Sequence, residues 1–372
     1  MPHIEKQMAS FFLTTKCNLR CTYCYNSKER SLLKEQSLSE EIAKAGIDYF
    51  FSTSMSRHIR FYGPGEPTQE FFLMKNIVEY ARLKAGKSLS VELQTNGCFG
   101  SDVREWILNN VNIIWFSFDG EPDVQNANRP CANGKPSAPI LERNVQWLIE
   151  HLNNQDLMVG ARVTMTDKNI IRQKEIVDYF HSLGISHVWT DPLFPSVGNK
   201  PVCEDVEKKK AFHFDMDTYV KNYIDTFRYA KEKNVFYGSF LMCNFDGRCS
   251  RHCRACIPAP HFTTDGYISA CDLVTFGNDP HHMDCFVYGK WNEKKKRFDF
   301  DENKIAILQS RSIKKMEHCL DCFAKEHCGG YCLGEVMNET GSLFGQKEET
   351  CEAIRLLYRE LGEQSQFDYL HP

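Results

Sequence analysis

The chain has 372 residues, 42 % hydrophobic and 25 % charged, with a net charge of −4, the balance of a globular protein and not of a disordered or fibrous one. That slight acidic excess gives no electrostatic reason to expect nucleic acid or a membrane surface as partner. No apolar run approaches the ~20 residues of a membrane span, and the opening Met1-Pro2-His3-Ile4-Glu5-Lys6 lacks the build of a signal peptide, so a cytoplasmic location is expected.

The first strand is expected over Ser10–Thr15, and the loop after it reads Cys17-Asn18-Leu19-Arg20-Cys21-Thr22-Tyr23-Cys24. Three such close thiolates can ligate three irons of a 4Fe–4S cube and leave the fourth iron open. A helix over Leu38–Phe51 follows, with Ser37 and Glu40 placed as a capping box. Strand His58–Tyr62 then runs into Gly63-Pro64-Gly65-Glu66-Pro67. Helix Phe71–Ala85 leads to strand Ser90–Gln94, which ends in Thr95-Asn96-Gly97. Helix Val103–Asn109 leads to strand Asn112–Phe118, which closes on Ser117-Phe118-Asp119-Gly120 ahead of Arg129. Helix Ile140–Leu152 precedes strand Met158–Thr164, which carries Arg162 and Thr164. Helix Ile171–Leu183, strand Ser186–Thr190 with Asp191 after it, helix Met216–Lys233 and strand Val235–Phe240 complete the series. Strands alternating with helices at this spacing predict a parallel sheet with right-handed crossovers, doubly wound or a full or partial barrel. Several strands are apolar on both faces, as strands covered on both sides should be.

Beyond about residue 241 periodicity fades, and 11 of the 17 cysteines fall between Cys243 and Cys351. In a reducing compartment so many thiols at short spacings mean metal and not disulfides. Such a region has little apolar core of its own and is expected to be held by ligation. The spacing is Cys256, nine residues, Gly266, four residues, Cys271, then Cys319-x-x-Cys322, Cys328, Cys332 and Cys351. Two C-x-x-C pairs also suit tetrahedral zinc, which would leave the extra cysteines and the N-terminal loop unexplained. A helix over Ala353–Glu363 ends the pattern. The runs Lys208-Lys209-Lys210 and Lys294-Lys295-Lys296-Arg297 have acidic neighbours and read as solvated faces. His252, His281, His282, His318 and His327 read as surface groups or supports behind the ligands. Cys98 and Cys131 read as small apolar residues or resolving thiols.

The C-x-x-x-C-x-Tyr-C loop resembles the signature of the radical S-adenosylmethionine (SAM) superfamily, and the seven later cysteines resemble the SPASM auxiliary-cluster domain. This resemblance implies an α/β fold: a partial (β/α)6 TIM-like barrel over 1–240, a SPASM domain over 241–355 and a tail over 356–372. It implies a 4Fe–4S cluster on Cys17, Cys21 and Cys24 whose open iron binds SAM. Tyr23, Gly63, Gly65, Glu66, Asn96, Ser117, Arg129 and Arg162 would then line the cofactor, Pro64 replacing the family's second glycine. Two auxiliary 4Fe–4S clusters are implied as well. Cys319, Cys322, Cys328 and Cys351 would hold the outer one. Cys256, Cys271 and Cys332 would hold the inner one, with Cys253 preferred over Cys249 as its fourth ligand, or with one iron left open.

The same resemblance implies reductive cleavage of SAM to a 5′-deoxyadenosyl radical and oxidative modification of a peptide or protein side chain, as in thioether or carbon–carbon crosslinking. Formylglycine formation, as in anaerobic sulfatase-maturating enzymes, and a small-molecule radical dehydrogenase are the alternatives. With the cluster loop starting at Cys17, no leader-binding module is expected ahead of it. An external one-electron donor such as flavodoxin or ferredoxin is implied. Asp272, directly after Cys271, matches the proton-accepting aspartate of the sulfatase-maturating group, a role that requires burial to raise its pKa.

Overall fold

A computed structural model describes residues 8–26, 35–152, 157–193, 214–277 and 283–363; the run at 208–210 and His281 and His282 lie outside these. Seven parallel strands follow one another in chain order: β1 (Ala9–Phe12), β2 (His58–Tyr62), β3 (Ser90–Thr95), β4 (Ile113–Ser117), β5 (Met158–Thr164), β6 (His187–Asp191) and β7 (Phe236–Ser239). Helices cross between successive strands, so six β–α units precede β7 and form the partial (β/α)6 barrel. The sheet then extends from the other side of β1. There β8 (His261–Phe262) pairs parallel to β1, and β9 (Tyr267–Ser269), β10 (Val287–Asn292) and β11 (Arg297–Phe300) add on antiparallel. One eleven-stranded sheet results.

The strand expectations agree with these bounds to within a residue, except at the end of β1, which stops at Phe12 and not Thr15. The helix after β1 shows a different start from the one expected. It runs Glu40–Thr53 with Ser39 at its N-cap and no side-chain cap bond. Ser37 instead donates its hydroxyl to Glu70 Oε1 at 2.6 Å, so the spacing that mimicked a capping box serves a contact to the second crossover. The final helix runs Glu348–Leu361, which takes Cys351 into its first turn.

Period-two alternation sorts the barrel residues. On β2, Ile59 and Phe61 pack against the helices, while Arg60 and Tyr62 belong to the opposite, inner set. Register aligns Ser10 with both Arg60 and His261, and Arg60 with Glu92. This makes a polar layer across four neighbouring strands. Farther round the same inner face, two glycines make room for tryptophans. A Cβ at Gly160 would lie 2.4 Å from the Trp115 ring, and one at Gly238 would lie 2.5 Å from the Trp189 ring. The outer seam between barrel and extension is aromatic: Phe11 stacks on Phe262 at 5.0 Å, and Phe262 meets Phe298 at 5.4 Å. Each such buried ring contributes roughly 1.5–3 kcal/mol of apolar burial. Among the described residues no helix is long and apolar enough to cross a membrane.

Candidate active site

All the signature segments sit at the C-terminal ends of the barrel strands, where such barrels place their chemistry. The cysteine loop after β1 is pinned by main-chain bonds. Arg20 N–H donates to Pro130 O at 2.8 Å and Thr22 N–H to Asn128 O at 2.9 Å. Asn18 Nδ2 donates to Cys98 O at 2.7 Å, and Asn96 Nδ2 donates to Asn18 Oδ1 at 2.8 Å. Cys98 therefore serves the loop through its carbonyl, while its buried thiol lies 3.9 Å from Ser137 O.

Asp119, fully buried, is the hub of this end. It accepts from Tyr23 Oη at 2.6 Å, Asn128 Nδ2 at 3.1 Å and Thr164 N–H at 3.0 Å, and it ion-pairs Arg129 at 3.1 Å. Arg129 in turn covers the Tyr23 ring. Glu66 is 2 % exposed, and its carboxylate is occupied by the chain: Thr68 Oγ1, Thr95 Oγ1 and Asn96 N–H donate to it at 2.7–2.8 Å. Arg162 pairs with Asp191 at 2.8 Å and donates to Gln94 at 3.1 Å. Ser117 and the main chain of Gly63 and Gly65 border the same space. A Cβ at Gly65 would lie 2.3 Å from Lys16 O, so only glycine lets this turn close over the loop.

These groups surround one cavity of about 270 Å³. Cys17, Cys21 and Cys24 lie on its wall, as do Cys253, Cys271, Cys332 and Asp272. Burial pushes the Cys21 thiol up to about 12, with Cys24 and Cys17 adding to the rise and Arg129 opposing it. Burial pushes Cys271 and Cys332 up as well, and the sulfur of Cys253 adds to both. Cys256, raised to about 12 by burial and then by Cys253, joins this inner group. A second group lies away from the cavity. Cys328 is pushed to about 12 by burial, with Cys351 and Cys319 among its neighbours. Cys351 reaches about 11 through burial, Glu348 and then Cys319 and Cys322. Cys249 neighbours both groups through Cys256 and Cys328, and Cys253 neighbours Cys256, Cys271 and Cys332.

Packed thiols of this kind resist ionising together unless cations balance them, so the donor sets fit iron–sulfur clusters in chemistry and grouping. Among the described residues no three His, Cys, Asp or Glu side chains converge closely enough for a single metal ion; a four-iron cube holds its thiolates farther apart, one per iron.

Between the two thiol sets lies a network that the sequence did not reveal. The buried Arg60 ion-pairs Asp272 and donates from Nε to Ser10 Oγ at 3.0 Å. His261 Nε2 stands 3.6 Å from Asp272, and burial pulls its imidazole down to about 4 against the pull of that carboxylate. Tyr25 and Tyr62 share a hydroxyl–hydroxyl bond of 2.5 Å. Asp272 sits at the centre of this network. Burial alone would raise its pKa, but Arg60, His261 and Arg254 outweigh burial and hold it well below the usual carboxylate range. In this structure Asp272 is the counter-ion of Arg60. One signal was available: an arginine inside a covered parallel strand needs a carboxylate partner.

Residues 11–189 match the Radical SAM superfamily. The chain is 22 % identical to the radical SAM cyclopropyl synthase TigE of Paramaledivibacter caminithermalis, over 94 % of this chain and 73 % of that protein. Its fold is similar to anSMEcpe solved with bound AdoMet (TM-score 0.72, 18 % identity, 95 % of this chain and 96 % of that one). It is also similar to Streptococcus suis SuiB bound to its precursor peptide SuiA (TM-score 0.64, 13 % identity, 93 % and 76 %). A further anSMEcpe structure holds the Kp18Cys peptide.

Proposed function

We propose, from the match of residues 11–189 to the Radical SAM superfamily, that the chain is a radical SAM/SPASM enzyme that oxidatively modifies a peptide or protein side chain. The observation that carries the reading is one cavity lined both by Cys17, Cys21 and Cys24 and by Cys253, Cys271 and Cys332. When bound, SAM and a four-iron cluster supply a primary carbon radical able to take a hydrogen atom from an unactivated position. Cys17, Cys21 and Cys24 would hold that cluster. Cys253, Cys256, Cys271 and Cys332 would hold an inner auxiliary cluster, and Cys319, Cys322, Cys328 and Cys351 an outer one.

The chain's own groups orient and enclose. Asp119 fixes both Tyr23 and Arg129 at the rim of the loop. Glu66 ties the turn after β2 to the end of β3, which leaves the main chain of Gly63 and Gly65 to meet the cofactor. Ser117, Asn96, Arg129 and Arg162 offer polar groups to its carboxylate and ribose. A substrate side chain in the remaining space would lie near both thiol sets, and a cluster held by Cys253, Cys256, Cys271 and Cys332 would supply a one-electron acceptor there. An external one-electron carrier would supply the reducing electron.

The peptide held by SuiB, and that held by anSMEcpe, support a peptide partner for this fold. The test is anaerobic reconstitution with SAM and a reductant, together with each short open reading frame adjacent to the gene, expressed as peptide. Deoxyadenosine formation and a peptide lighter by two hydrogens are expected. Deoxyadenosine without any change in these peptides, but with oxidation of a sulfatase cysteine or serine, would replace this reading with sulfatase maturation.

A further inference from the structure

We propose that Arg254 forms a carboxylate-binding subsite at the inner-cluster side of the cavity, selecting peptides that present a carboxylate next to the reacting residue. The inference rests on the peptide reading above. Its basis is an imbalance among the arginines of the site. Arg60 is committed to Asp272, Arg129 to Asp119 and Arg162 to Asp191. Arg254 also lines the cavity, yet among the described residues its guanidinium has neither a hydrogen bond nor an ion pair. Its charged neighbours are Arg60, Asp272, Glu92 and Cys253, and the two carboxylates there are already held by Arg60 and His58.

An unmatched guanidinium in a partly enclosed space is unfavourable until an anion meets it. Its planar fork suits a carboxylate, which can accept two parallel N–H bonds. The carboxylate of SAM is a poor candidate for this place. The groups positioned for that cofactor, Tyr23 and Arg129, lie with Cys21 and Asp119, and none of these is among the charged neighbours of Arg254.

The probe is a set of three capped peptide pools of about seven residues, randomised over uncharged residues and labelled with a fluorophore. The first has a central Glu. The second has a central Gln. The third has a central Gln and a free C-terminal carboxylate. Binding to the cluster-loaded protein is read by anisotropy. An ion-paired, charge-assisted contact should make one carboxylate pool bind about tenfold more tightly than the neutral pool. Which pool is favoured tells a side-chain carboxylate from a chain terminus. Arg254→Gln should bind all three alike with its iron content retained, and Arg254→Lys should keep part of the preference. Equal binding of the three pools by the wild-type protein overturns the subsite while leaving the peptide reading standing. Binding of none removes the peptide reading and the subsite with it. A preference that survives Arg254→Gln also overturns the subsite. So does an Arg254→Gln protein that loses iron but keeps the preference, since the arginine would then balance the inner cluster's charge.

Discussion

Arg60 on the second strand ion-pairs Asp272, 212 residues later in the chain. The pair joins the barrel interior to the segment that carries the inner cysteines, and it ties up the carboxylate expected to accept a proton. Asp272→Asn should keep deoxyadenosine formation and lower the ratio of product to deoxyadenosine by less than about tenfold, where a lost general base costs ~100- to 10,000-fold. It should also destabilise the fold by about 1–3 kcal/mol, since the buried Arg60 loses its counter-charge. A fall of 100-fold in that ratio, with stability unchanged, would restore the base role.

Replacing Cys17, Cys21 and Cys24 together by alanine should abolish deoxyadenosine formation. About twelve irons are expected in the intact protein, and roughly two-thirds should remain in this variant. Iron and sulfide analysis beside a chromatographic deoxyadenosine assay decides it. Zinc in place of iron would reject the cluster assignment.

Asp119 accepts from Tyr23, Asn128 and the Thr164 amide while pairing Arg129. Asp119→Ala leaves that guanidinium uncompensated and should cost about 3–5 kcal/mol in urea unfolding. With Tyr23 and Arg129 released, SAM affinity measured by equilibrium dialysis should fall as well. Unchanged affinity at reduced stability would separate Asp119 from cofactor binding.

Glu92 is buried, and its carboxyl is held below its ordinary value. Burial opposes the charge, but the bond from His58 and the charges of His58, Arg60 and Arg254 prevail. A carboxyl with a depressed folded pKa stabilises the fold fully above its unfolded value of about 4.3. That contribution is lost as pH falls through the folded pKa. Wild type should therefore exceed Glu92→Gln in stability at pH 6, and the gap should narrow below about pH 4. A gap that stays constant with pH would show that the His58 bond, and not charge, carries the contribution.

Gly160→Ala would drive a methyl group into the Trp115 ring, and Gly238→Ala into Trp189. Each should lower stability by about 1–3 kcal/mol through overpacking. Thermal unfolding of the two variants checks this, and a neutral effect would mean that the tryptophans can shift.

The strands were legible because covered parallel strands are apolar runs of a length few helices share, and the loop cysteines because thiols at two- and three-residue spacings leave few other uses. Ser37 and Glu40 misled because a capping box is a local spacing, and the acceptor that claimed Ser37 was Glu70 on a different crossover. Arg60, Tyr62 and His261 stayed hidden for a related reason. Their partners come from far along the chain, and only the register of β2, β1 and β8 brings them side by side. Asp272 was found by its neighbour Cys271, but its state depended on an arginine that no spacing rule connects to it.

The parallel pairing of β8 with β1 bears on how the protein can be cut. A fragment ending near residue 240 would keep the whole Cys17–Cys24 loop but strip the cover from one side of β1. Its Ser10 and Phe11 main-chain groups, now bonded to the Pro260–Phe262 segment, would become an open strand edge flanked by Phe11 and Phe12. Such an edge recruits other chains. Trimming the cysteine-rich C-terminal third should therefore favour self-association of the remaining barrel.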